Sequence, residues 1–510
     1  MFFADPCAIP SSGIVTVQES YHPTDLAFHC RAFRVGQSAM TRAHGNVDLA
    51  DELRPADFGD SRLMERLTKI VAGMVEGPSK SFPTMFSDTE LEGAYRFFNN
   101  DAVTPAKILE PHVNATVTRM GTEKVALVVH DTSTMSFNPS GARQGLGRVR
   151  SAGQAFFAHL SIALSGDGSR MPLGALALST YIRQGKKKKK KKAKDNGDNE
   201  RARWGRQVAD IAALGIERSS VVHLMDREAD DFALLAQLVG AGDRFVIRLA
   251  QDRSLEPTTP DGANKLDQAV MEIKAIAERE VPLSRRPAGQ RSPKQKKIHP
   301  TREGRDAKLA FGATAVVLRR PGPQPKTMPS SLALNVVRVW EVEAPEGEKP
   351  VEWLLVTTEP VETIEQIMQI VDWYRARWVI EEFFKALKTG CAYDKRQLET
   401  LEGLLNVLAT SIPVAWTLLR MRTRARLTPN AKATTLLSAT MLAVLHAFTR
   451  VTLSARPTAR EALLAIAALG GHLKHNGEPG WITLGRGYER LRTLSEGWAA
   501  ARGLATCSDV

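Results

Sequence analysis

The chain has 510 residues, 43% hydrophobic and 25% charged, the composition of a globular protein rather than a disordered or fibrous one; that length holds roughly two to four domains. Lys and Arg number 69 against 56 Asp and Glu, a formal net charge of +13, which points to a polyanionic partner, nucleic acid ahead of a membrane surface. The four cysteines, Cys7, Cys30, Cys391 and Cys507, are scattered without a CxxC pair, a pattern that gives neither a disulfide framework nor a zinc site and fits a reducing cytoplasm.

Residues 1–48 mix Pro, Gly, Ser and His without periodicity and read as a poorly ordered leader. The opening MFFADPCAIPSSG lacks the basic start and apolar core of a signal peptide. Residues 49–115 read as a small helical unit: Leu63, Leu67, Ile70, Val71 and Met74 recur at helical spacing, 90–98 is a second helix, and Pro78-Ser79-Lys80-Ser81 with Pro83 parts them.

Over residues 116–251 the pattern shifts to strands. The apolar run VALVV at 125–129 ends on His130-Asp131, strands at 156–164 and 171–181 are joined by a turn at Gly166-Asp167-Gly168, and 200–214 is helical. A second strand-like run at 220–225 ends on Asp226, followed by a helix at 231–239 and a strand at 245–249. This order predicts a mixed α/β sheet. Residues 252–350 turn basic and rich in Pro and Gly, with strands at 313–318 and 334–342, and read as an inserted β-rich subdomain. Residues 351–395 return to the sheet with a strand at 351–357 and a long helix at 363–389. The rest, 396–510, is mostly helical, with a Gly/Pro break around 476–480; its apolar stretch 403–419, interrupted by Pro413 and followed by arginines, reads as a core helix and not a membrane span. The unbroken Lys186–Lys192 run reads as a solvated loop, with a DNA-backbone contact as the alternative.

Asp131 and Asp226 each close a buried-looking apolar strand, and strand ends hold side chains rigidly while leaving them accessible. Two such carboxylates can share a hard divalent cation such as Mg²⁺; the bland alternative for each is a turn former or helix cap. On the long helix, at ~100° per residue, Tyr374, Arg377, Glu381 and Lys388 fall within about 60° of one another, with Lys385 and Trp378 beside them. Val379, Ile380, Phe383, Ala386 and Leu387 take the opposite side and can bury. One acid among cations and aromatics suits a metal-holding carboxylate flanked by phosphate-gripping side chains. Glu382 points about a quarter-turn away and is the weaker ligand candidate; a solvated face with a Glu381–Lys385 ion pair is the alternative reading of the helix.

The spacing Tyr374-x2-Arg377-x3-Glu381-x6-Lys388 resembles the Y-R-E-K signature of bacterial cut-and-paste DDE transposases of the insertion-sequence-four group. Asp226-Arg-Glu-Ala-Asp230 is similar to the stretch around that family's second aspartate, and Val129-His-Asp131-Thr-Ser-Thr to that around its first. Asp57-Phe-Gly-Asp60-Ser-Arg62 and Glu92-Gly-Ala-Tyr-Arg-Phe97 resemble its N-terminal DNA-binding unit. The resemblance spans roughly residues 50 to 490 and leaves out the leader and the lysine run. It implies an RNase H-like mixed sheet with a β-rich insertion, flanked by small N-terminal and C-terminal helical domains. It also implies a metal-binding triad of Asp131, Asp226 and Glu381, and transposon-end contacts by Tyr374, Arg377 and Lys388. Trp353 matches an aromatic that stacks on a flipped base, and Arg248 a phosphate-binding arginine; a sheet-packing Trp and a surface Arg are the alternatives.

Two Mg²⁺ ions, from which carboxylates alone do not distinguish Mn²⁺, are therefore expected to serve hydrolysis and transesterification of DNA, by way of a DNA hairpin. The expected partners are double-stranded DNA, as transposon ends and target, and a second copy in a homodimer; the expected location is the cytoplasm, on the nucleoid, with no membrane role. A nuclease that cuts without joining, and a catalytically silent DNA-binding regulator, are the competing readings.

Overall fold

The computed structural model describes residues 48–138, 143–149, 153–182, 200–257, 262–283, 301–473 and 478–503. The expected leader up to residue 47, the Lys186–Lys192 run and the start of the break at 476–480 lie outside the described residues.

Local chemistry sets the first long helix. Asp57 accepts the Gly59 amide at 2.8 Å, and Gly59 has φ +75°, where glycine meets no steric penalty. Asp60 then accepts the Arg62 amide at 2.9 Å and caps the helix Ser61–Glu76. Its buried side is Leu67, Ile70, Val71 and Met74, four of the five apolar residues expected there. A Ser87–Glu90 capping box starts the next long helix, Asp88–Phe98; Phe97 takes Phe58 edge-on, with ring centroids 5.5 Å apart. Pro83 lies in a short turn of helix, Phe82–Met85, between the two.

Among the described residues the chain divides into two compact units. One is built on Val221–Arg377 with residues 200–206; the other holds residues 48–182, Gln207–Ser220 and the chain from Trp378 onward. In the second unit, strand β1 (Ala126–Phe137) pairs antiparallel with β3 (Gly153–Ser165), and β3 also carries β2 (Gly147–Val149) and β4 (Pro172–Tyr181). In the first unit, β5 (Val221–Met225) and β6 (Arg244–Arg248) are parallel. Beyond β6 the sheet continues antiparallel through β10 (Glu352–Thr357), β9 (Ser331–Glu341), β8 (Arg305–Arg319) and β7 (Ala277–Leu283). The strands of the β-rich insertion thus extend the sheet that begins with β5. Both expected strands of the insertion are present and longer than expected, and β7 is an additional one.

The apolar stretch at 403–419 lies in the helix Leu401–Leu427, which is long and apolar enough to cross a membrane, yet 83% of its most apolar window is buried in the fold. It is a core helix, with Trp416 Nε1 donating to the Pro172 carbonyl at 3.0 Å. Cys391 is a buried free thiol.

A buried charged group joins the first helix, Leu49–Leu53, to the helix Pro105–Met120 and β4. His112 is fully buried and its Nε2 accepts the Ala175 amide at 3.0 Å, so its proton sits on Nδ1 and is donated to Glu52. Arg119 donates to the other Glu52 oxygen at 2.8 Å and lies over the Trp416 ring at 4.4 Å. Burial pushes the Glu52 carboxyl up, but His112 and Arg119 outweigh it and hold it down to about 2; burial lowers the His112 imidazole below its ordinary 6.5. Both folded values lie below the unfolded ones, so each contribution is intact above the unfolded pKa and lost on acidification. The urea midpoint is therefore expected to fall first below pH 6.5, through His112, and again between 4.5 and 2, through Glu52. Glu52→Gln should flatten the lower step, and equilibrium unfolding at stepped pH checks it.

Candidate active site and DNA-contacting face

In the first unit the five residues of β5 are all buried, and Asp226 follows directly. Its Oδ1 accepts the Glu228 amide at 2.9 Å, capping the turn Arg227–Ala229, so the aspartate is both a strand-end carboxylate and a cap. Met225 stands opposite Ile247 in the parallel pair, so Asp226 leaves the sheet level with Arg248 at the end of β6. Across β6, Leu355 is opposite Arg248, and Trp353 shares the Leu355 face by strand alternation. Trp353 meets Tyr374 edge-on at 5.9 Å; the two are 9% and 5% exposed. Asp226, Arg248, Trp353 and Tyr374 thus come to one edge of this sheet. Both aromatics pack within the protein.

Four residues past Asp226, the buried Asp230 accepts the Ala250 and Gln251 amides at 2.8 and 3.0 Å and the Arg253 guanidinium at 3.0 Å. This ties the Asp226 turn to the chain leaving β6. Arg253 has no motif spacing to reveal it: its partner is 23 residues away, and only the return of the chain brings the two together.

In the second unit Asp131 is not at a strand end, as expected, but in the middle of β1, opposite Leu160. The strand runs on through Thr132–Phe137 because β3 offers partners down to Gln154. What ends at Asp131 is burial: five buried residues precede it and four half-buried ones begin with it. On the opposite face of β1, His130 Nδ1 is 2.7 Å from Ser161 Oγ, which also accepts from Gln207 at 2.6 Å, and Thr132 Oγ1 is 2.8 Å from His159 Nδ1. A buried polar layer thus holds the strand beneath Asp131.

The expected single helix over 363–389 is interrupted. It starts at a Thr363–Gln366 capping box and runs Ile364–Ala376. At Arg377 the amide bonds Tyr374 O, three residues back, at 3.1 Å. Trp378–Lys385 follows, and the element ends in a π-turn, Ala386–Gly390. Tightening at one point and widening at another means that one 100° wheel does not describe Tyr374 to Lys388. Tyr374 and Arg377 are buried rather than on an open cationic face. Of the expected apolar side, Ile380, Phe383, Ala386 and Leu387 are buried, together with Phe384, while Val379 is only half-buried.

Glu381 is half-buried on the segment that packs against β1. Lys388 Nζ donates to Ser133 Oγ at 2.7 Å, and Ser133 shares the Asp131 face of β1 by alternation. Its neighbour Glu382 accepts from Lys385 at 2.9 Å, Arg422 at 2.7 Å and Trp481 Nε1 at 3.0 Å. Burial pushes the Glu382 carboxyl up, but the Lys385 hydrogen bond and the Arg422 charge prevail and hold it below its ordinary value. Glu382 is thus an anchor between this segment and the C-terminal helices. Lys385, exposed, has this acid as an i,i+3 partner. Among the described residues, no three His, Cys, Asp or Glu side chains are gathered into a ready-made metal site.

An α/β chain of this charge, with Asp226 and Arg248 at one sheet edge, suits work on nucleic acid, and comparison with known families agrees. Residues 49–103 match the family model for transposase DNA-binding, and residues 182–412 that for the transposase DDE domain. The chain carries these two transposase domains, which support a DDE transposase, and its mixed α/β fold is consistent with the RNase H-like fold of such enzymes. Asp226, Arg248, Trp353, Tyr374, Arg377, Glu381, Lys385 and Lys388 lie within the DDE match; Asp131 precedes it.

Proposed function

We propose that the protein excises a DNA element and inserts it elsewhere, as a transposase of the insertion-sequence-four group, with Asp131, Asp226 and Glu381 holding two divalent cations. The observation that carries this reading is the DDE match from before Asp226 to beyond Glu381, together with the gathering of Asp226, Arg248, Trp353 and Tyr374 at one sheet edge. The donor chemistry fits: carboxylate oxygens suit hard cations such as Mg²⁺ or Mn²⁺. When bound, the metal ions would help activate water or a 3′-hydroxyl and stabilise the leaving oxygen.

The chain's own residues supply the rest. Arg248, Lys385 and Lys388 bind phosphates of the transposon end, and Lys388, held on Ser133, presents its charge on the Asp131 face of β1. Trp353 stacks an extruded base, offsetting ~1–3 kcal/mol of the distortion in a DNA hairpin. Two copies bridge the two element ends.

A strand-transfer assay with precut ends and Mg²⁺ tests the reading. Joined product is the expected result. Cutting without joining would make the protein a nuclease, and DNA binding without either would make it a silent regulator.

A further inference from the structure

We infer that the DNA-binding surface of residues 49–103 extends onto the last helix, where Arg486 and Arg490 take phosphates of the duplex. The inference rests on the match to transposase DNA-binding and on the DNA reading above.

The helix Trp481–Ala501 borders a groove of about 520 Å³, lined by Gly470, Gly471, Arg486, Glu489, Arg490 and Thr493 among others. Arg486 and Arg490 are exposed and one turn apart, about 6 Å along the axis. Several arginines packed around this helix are paired with acids: Arg422 with Glu382, Arg426 and Arg460 with Glu478, Arg492 with Glu76. Arg486 and Arg490 have no acidic partner among the described residues. The one acid in the groove, Glu489, is engaged by the Ser79 hydroxyl at 2.6 Å.

The groove also adjoins the matched DNA-binding region directly. Ser79 bonds Glu489, and Lys80 Nζ donates to Thr493 Oγ1 at 3.3 Å, which brings a third cation to the groove wall. The floor is rigid. A Cβ on Gly470 would stand 1.9 Å from Thr483 O, and one on Gly487 1.8 Å from Ile466 O, so this helix meets Ala459–Leu469 backbone to backbone. Two free guanidinium groups on a fixed platform, continuous with a DNA-binding unit, fit the regular charges of a duplex backbone.

The test is the salt dependence of duplex binding by the full chain, read by anisotropy of a labelled duplex of arbitrary sequence. Each phosphate contact contributes ~0.9 to the slope of log K against log salt. Arg486→Gln with Arg490→Gln is expected to reduce that slope by ~1.8 with unchanged circular dichroism, and Arg486→Lys with Arg490→Lys to keep it. An unchanged slope in the glutamine pair overturns the inference, as does an equal loss in the lysine pair, which would make the arginines structural. Wild-type protein without salt-dependent duplex binding would instead sink the DNA reading itself.

Discussion

Glu381→Gln is expected to lower Mg²⁺-supported nicking of a duplex by roughly a thousandfold or more, with duplex binding and thermal stability close to wild type. The substitution keeps size and helix propensity and removes only the charge. Glu381 is half-buried, and its segment is held from the other side by the buried Ile380, Phe383 and Phe384, which the substitution leaves in place. Glu382→Gln supplies the contrast. That acid anchors Lys385, Arg422 and Trp481, and its loss should appear first as a lower unfolding midpoint. Nicking assays and thermal unfolding on both variants separate the roles of the two adjacent glutamates. If Glu381→Gln nicks near the wild-type rate, the three-acid assignment fails.

Asp230→Ala is expected to cost about 3–5 kcal/mol of folding stability, because it leaves the Arg253 charge buried without its acid. The Ala250 and Gln251 amides lose their acceptor as well. Asp230→Leu combined with Arg253→Met removes both charges and should cost less than Asp230→Ala alone. The Asp226 turn is tied through Asp230 to the chain leaving β6, so Asp230→Ala should also depress nicking in whatever protein remains folded. Urea unfolding of the three proteins gives the result; an Asp230→Ala variant within about 1 kcal/mol of wild type would mean that water replaces the clamp.

Where the residues of an element speak for themselves, their reading and the fold agree. Asp57, Gly59 and Asp60 spell a turn and a cap in six residues, and a helix starts there. Val221–Met225 is buried throughout and apolar but for His223, and its boundary at Asp226 is sharp. Other boundaries depend on a partner. The hydroxyl-rich tail of β1 is compatible with loop or strand, and β3 makes it strand, which leaves Asp131 in mid-strand. β7 alternates exposed charged positions with half-buried or buried ones, and carries Pro282 where, among the described residues, only β8 is its partner; such an edge strand has little apolar signal.

The sequence by itself determined the charge, the two apolar runs leading to Asp131 and Asp226, the capped helix start at Thr363 and the motif spacing around Glu381, because these depend on side-chain chemistry and on periods of a few residues. Only the tertiary structure decided that Asp230 meets Arg253, that Glu382 anchors the C-terminal helices, that Lys388 reaches Ser133, and that Arg486 and Arg490 border the loop carrying Ser79 and Lys80. Those pairings link residues from 23 to more than 400 positions apart. Burial of distant apolar faces brings them together, and a local pattern holds no record of which distant partner will arrive.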